Sequence, residues 1–102
     1  MRIEVIGGEN STIVQARAYA EYRLFATLAR YARRIRSVNV VLGEVERKGA
    51  SDRVTCAVKV ILEPSWAIRV RAQGPHARGA IDRAAERVGD LLKRKTPPAI
   101  SS

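Results

Sequence analysis

Arginine is the residue whose type and spacing carry chemistry in this chain. Tyr22 to Gly43 contains Arg23, Arg30, Arg33, Arg34 and Arg36 with no Asp or Glu, and Pro64 to Ile81 contains Arg69, Arg71 and Arg78, again with none. Those arginines account for nearly all of the net charge of +9. A surplus gathered into acid-free windows sustains a positive field that attracts a polyanion. Of the 19 basic residues, 15 are Arg and 4 are Lys, and a planar guanidinium suits bidentate contact with phosphate. The expected chemistry is phosphate contact on a nucleic acid.

Catalysis has few parts to draw on, and no enzyme is expected. The chain has one His, one Cys, no His-Glu-x-x-His pair, no Gly-rich phosphate loop and no cluster with metal-ligand spacing, so neither a cofactor, a metal nor a small-molecule substrate is expected. His76 reads as a solvated or capping residue. Cys56 sits in the alternating run Val54, Cys56, Val58, Val60, Leu62, where a thiol is a small core residue rather than a nucleophile. Asp82, Glu86 and Asp90 follow one another at i,i+4 on a polar helix face, and Asp90 precedes Arg94 in the favourable order for an ion pair. The N-terminal residues are too short and acidic for a signal peptide, and no apolar run approaches the roughly 18 residues of a membrane span. A cytoplasmic protein with no membrane partner is expected.

The elements that position these arginines can be read from periodicity. Met1 to Ile6 alternates as a short strand and is broken by Gly7-Gly8-Glu9-Asn10. Thr12 with Gln15 matches a capping box, and Ile13, Leu24, Phe25, Leu28, Ala32 and Ile35 share one face of a helix predicted to run to about Arg34, with Gln15, Arg23, Arg30, Arg33 and Arg34 opposite. From Ser37 the period becomes 2, with Val38, Val40 and Leu42 on one side, and Arg47 to Ser51 reads as the turn of a hairpin into a strand over Arg53 to Leu62. After Glu63-Pro64-Ser65 a further strand carries Trp66, Ile68, Val70 and Ala72 inward, and an odd loop length aligns the apolar faces. That register sets Lys59 opposite Arg69 on the outer face, an arrangement either tolerated because the face is wet or useful because an anion lies there.

Gly74-Pro75 is expected to start the last helix with Pro75 at its first position, and Ala77, Ala80, Ile81, Ala84, Val88, Leu91 and Leu92 form its apolar face. His76, Arg83, Arg87 and Arg94 make a basic line beside it, and the interior glycines Gly79 and Gly89 suggest only close packing. The element order is β-α-β-β-β-α, an α+β fold with a parallel first pair of strands, an antiparallel meander and two helices on one face of a four-stranded sheet. Both helices then lie on the same side, where their arginines are expected to merge into one basic surface. The open face offers Asn39, Val41, Ala57, Lys59, Arg69 and Arg71. Without an aromatic residue there, it lacks the stacking platform of an RRM-like reader.

Three segments carry a family likeness: Tyr19 to Ile35, Ser37 to Leu42, and Ala80 to Lys95 with its Ala-Ile-Asp opening and basic end. Over roughly residues 1–95 the chain resembles the ribosome hibernation-promoting factor / ribosome-associated inhibitor family. The resemblance implies a single ribosome-binding domain over 1–95 and a short form lacking the dimerisation domain of long members, which is expected to be monomeric when free; Thr96-Pro97-Pro98 stops the last helix, and a flexible tail is expected over 96–102. It implies that small-subunit ribosomal RNA is bound in the decoding channel, where messenger RNA and tRNA are occluded and ribosomes are kept idle under stress or in stationary phase. By position the RNA contacts fall to Arg23, Arg30, Arg33 and Arg34 of the first helix and Arg83, Arg87, Lys93 and Arg94 of the second. The chain departs from the family in His76-Ala77-Arg78-Gly79 and in its Ala- and Arg-rich first helix. The alternatives are a stand-alone RNA-binding domain of the double-stranded-RNA-binding kind and a basic adaptor for an acidic protein.

Overall fold

The computed structural model describes residues 1–7, 11–45, 53–63 and 66–95. Strand β1 (Arg2–Gly7) is followed by helix α1 (Ser11–Leu28), a 3₁₀ segment (Ala29–Arg34), strands β2 (Ile35–Val45), β3 (Arg53–Leu62) and β4 (Trp66–Gly74), and helix α2 (Ala77–Lys95). The sheet has the order β1-β2-β3-β4, with β1 parallel to β2 and the other two pairs antiparallel. This is the predicted α+β fold. The turn read at 47–51, Pro64-Ser65 and the tail 96–102 lie outside the described residues.

Alternation builds the sheet. In β3 every even residue from Val54 to Leu62 is buried and every odd one is half-exposed, because a period of 2 sends successive side chains to opposite faces. Val38, Val40 and Leu42 of β2 and Ile68, Val70 and Ala72 of β4 join them on the face that the helices cover. The register pairs Val38 with Val60 and Val60 with Ile68, so the apolar rows align across three strands. α2 completes this core with Ala77, Ala80, Ile81, Ala84, Val88 and Leu92, joined by Ala85, which periodicity alone did not single out. Fully burying such Val, Leu and Ile side chains contributes about 1.5–3 kcal/mol each.

Four expectations are corrected. The α-helix ends at Leu28 and the chain tightens into the 3₁₀ segment, whose rise of about 2.0 Å per residue covers more distance than the 1.5 Å of an α-helix on the way to β2. The buried stripe of α1 is Ala16, Ala20, Leu24 and Leu28, and Phe25, about 100° further round, is 57% exposed. Trp66 has the inward phase but stands at the first position of β4, opposite Leu62 at the end of the sheet, and is half exposed. α1 already includes Ser11 and Thr12, and α2 begins at Ala77, so neither Thr12 nor Pro75 holds the terminal position predicted for it. His76 precedes α2, and its carbonyl accepts the N–H of Ala80 at 3.2 Å, closing the first turn.

Candidate nucleic-acid interface

Because the buried stripe of α1 steps by four, the residues just behind it face α2. Tyr19, Arg23 and Thr27 occupy that side, and α2 meets them with Asp82 and Gly89. The Tyr19 hydroxyl donates to Asp82 Oδ1 at 2.6 Å, and Arg23 Nε lies 3.3 Å from the same oxygen. Arg23 Nη1 also donates to Thr27 Oγ1 at 2.7 Å, and Thr27 Oγ1 donates back to the Arg23 carbonyl at 3.0 Å. The Arg78 guanidinium lies over the Tyr19 ring, 4.7 Å from its centroid. The hydrogen bond to Asp82, burial and the nearby carboxylate charge push the Tyr19 phenol above its ordinary pKa. A Cβ on Gly89 would come 3.3 Å from Thr27 Cγ2, so this glycine lets the helices approach. For Gly79 the nearest neighbours of an added Cβ are His76 ring atoms at 3.5 Å, an ordinary contact, and close packing does not explain it.

The polar clasp decides how charge is laid out. Glu86 and Asp90 line the groove between the helices together with Arg23, Arg30 and Lys93. The carboxylate row, exposed as expected at Glu86 and Asp90, therefore borders α1 and stands between the two rows of arginines. They do not merge into one uninterrupted basic surface. Arg30, Arg33 and Arg34 form one bank on the 3₁₀ segment, all exposed. Arg83, Arg87 and Arg94 form the other, on the side of α2 that overhangs β4.

The second bank is anchored. Arg83 Nη1 donates to the Gln73 carbonyl at 2.9 Å and Arg87 Nη1 to the Arg71 carbonyl at 2.8 Å. β4 is the last strand of the sheet, and side chains that occupy its carbonyls discourage pairing with another strand. A guanidinium has five N–H donors, so both arginines keep donors for a further acceptor. The ion pairs among the described residues are Arg23 with Asp82 and Arg36 with Glu63. The Asp90–Arg94 ion pair does not form, although both residues border one hollow with Arg69, Arg71 and Arg87.

Of the eight sequence-predicted contact residues, Arg23 is committed to the clasp, Arg30 and Lys93 border the inter-helix groove, Arg33 and Arg34 stand at the end of the 3₁₀ segment, and Arg83, Arg87 and Arg94 follow the β4 edge. Sequence reasoning missed the Tyr19–Asp82 contact, which joins residues 63 apart. Cys56 is fully buried, and burial pushes its thiol up to about 12. A thiol so protonated is a poor nucleophile. Among the described residues no group of three or more His, Cys, Asp or Glu side chains is placed to hold a metal ion, and no helix is long and apolar enough to cross a membrane.

Fold and site together define a small α+β domain with two helices on one face of a mixed sheet and a cationic band along the last strand. Among solved structures, the chain is similar to the N-terminal domain of Thermus thermophilus Protein Y. The two are 25% identical, the match covers 92% of this chain and 98% of that one, and the TM-score is 0.71. No protein-family model matches the sequence. No curated protein matches it either.

Proposed function

We propose that this protein is a ribosome-associated hibernation factor that binds small-subunit ribosomal RNA in the decoding channel and occludes messenger RNA and tRNA. The observation that carries the reading is the likeness to the Protein Y N-terminal domain over nearly the whole of both chains, taken with the family resemblance of α1, β2 and α2. The charge supports it. Exposed arginines on rigid elements suit phosphate contact with a folded RNA recognised by shape, which needs no stacking platform. The protein acts by occupancy, with no reaction and no cofactor, in the cytoplasm where its target is found.

Occlusion makes the protein and a tRNA–messenger pair mutually exclusive on one small subunit. Excess protein is expected to inhibit cell-free translation, preassembled initiation complexes are expected to resist it, and inhibition is expected to weaken as tRNA and messenger rise at fixed protein concentration. Stoichiometric binding of this protein and P-site tRNA to the same subunit contradicts occlusion.

A further inference from the structure

The open face of the sheet carries charge that no ion pair among the described residues neutralises. Ile3 and Val5 of β1 pack toward the core, which turns Glu4 to the opposite face. There the registers align Glu4, Asn39, Lys59 and Arg69 in one row and Val41, Ala57 and Arg71 in the next. Lys59 stands directly across from Arg69, and like charges so placed destabilise a strand pair. Among the described residues no carboxylate forms an ion pair with Lys59, Arg69 or Arg71. Glu4 is two strands from Lys59, about 10 Å away at the usual strand spacing.

Shape agrees with charge. A shallow groove of about 380 Å³ runs over this face, lined by Asn39, Val41, Ala57, Lys59, Arg69 and Arg71. A second hollow lies beside it at the β4 edge, where Arg69 and Arg71 meet Arg87, Asp90, Leu91 and Arg94 of α2. The cations thus continue from the open face around the edge strand and onto α2, with Asp90 the one acid among the described residues of that hollow. The floor of the groove is small and apolar and has no ring on which a base could stack. It suits a sugar-phosphate backbone, with Asn39 free to donate to and accept from a ribose hydroxyl.

We propose that the open face of the sheet is a second RNA-backbone site, in which Lys59, Arg69 and Arg71 contact phosphates of the strand that Arg87 and Arg94 engage on the other side of the β4 edge. The inference rests on the reading of the protein as an RNA binder. It adds the open face to the two helices on which the family resemblance places the RNA contacts. The occupied site relieves the Lys59–Arg69 opposition, because a phosphate between two cations attracts both.

The test compares the full chain with the variant Lys59→Gln/Arg69→Gln/Arg71→Gln, using purified small ribosomal subunits and, separately, a short RNA duplex as probes over a salt series. Each phosphate contact removed takes about 0.9 from the slope of log affinity against log salt. The triple variant is expected to lose at least about tenfold in affinity at 100 mM salt and two to three units of slope on subunits. Its melting temperature should stay level or rise as the opposed pair is removed, and Arg69→Lys/Arg71→Lys should restore most of the slope. Unchanged affinity and slope on subunits that the parent protein binds overturn the open-face site and leave the ribosomal reading intact. If the parent protein ignores subunits but binds the duplex, and the variant loses that binding, the open-face site stands and the ribosomal reading fails. Competition by polyglutamate of equal charge as effective as that by RNA overturns the RNA assignment in favour of an acidic protein partner.

Discussion

Asp82 holds two roles that pull in opposite directions, and replacing it separates them. Its Oδ1 accepts the Tyr19 hydroxyl at 2.6 Å and pairs with Arg23 at 3.3 Å. A hydrogen bond to a charged acceptor contributes about 1.5–3 kcal/mol when covered, but here the Asp82 side chain is 43% and the Arg23 side chain 31% exposed. Solvent reduces the first figure, and a pair at this exposure adds about 1 kcal/mol or less. Asp82→Ala is therefore expected to cost about 1–2 kcal/mol, and a domain of this size loses about 4–8 °C of melting temperature per kcal/mol. The same change removes a carboxylate from between the arginine banks and releases Arg23. With about 1 kcal/mol of electrostatic gain, binding to small subunits is expected to tighten roughly fivefold at low salt. Tyr19→Phe is the control, since it loosens the clasp without changing charge and should destabilise without tightening. Thermal melts and equilibrium binding at 50 mM salt read both effects. An unchanged melting temperature refutes the clasp, and weaker binding by a folded Asp82→Ala protein refutes the placing of Asp82 as a repulsive group.

The remaining predictions are structural. The Cys56 thiol has its pKa raised by burial from 9.0 to about 12, so the stability this group contributes is complete below pH 9 and is lost as pH rises toward 12. Three units correspond to at most about 4 kcal/mol. Tyr19, raised mainly by its bond to Asp82, acts in the same direction. Chemical denaturation at pH 8, 9.5 and 11 should show this decline, and Cys56→Ala should flatten it; an equally steep decline in Cys56→Ala removes the thiol as its cause. Gly74→Ala would set a Cβ 2.8 Å from the Ala80 nitrogen, a backbone atom in the first turn of α2, and such overpacking is expected to cost about 1–3 kcal/mol. A melting temperature equal to the parent protein's contradicts that geometry.

Much of the fold was legible because one period dominates each element. The even residues of β3 and β4 and the Ala80, Ala84, Val88, Leu92 line of α2 announce their faces, and element order then dictates the sheet. The register that sets Lys59 against Arg69 followed from loop length alone. What escaped depends on contacts between distant residues. No Gly or Pro marks the end of α1 at Leu28. The rotation of α1 that exposes Phe25 and turns Tyr19 and Arg23 toward Asp82 is set by packing on α2, and so is the separation of the arginine rows. The eight predicted contact residues were legible as cations, but only the structure shows Arg23 committed to an acid and Arg83 and Arg87 anchored to β4 carbonyls.

Sedimentation of the tagged protein with purified small subunits through sucrose gradients at rising salt tests ribosome binding most directly. Stoichiometric co-sedimentation is expected near 50 mM salt and release by 200 mM, from the roughly thousandfold loss of affinity that about six phosphate contacts imply over that range. Protein that stays at the top of the gradient at 50 mM salt, or remains bound without regard to salt over that range, contradicts that expectation.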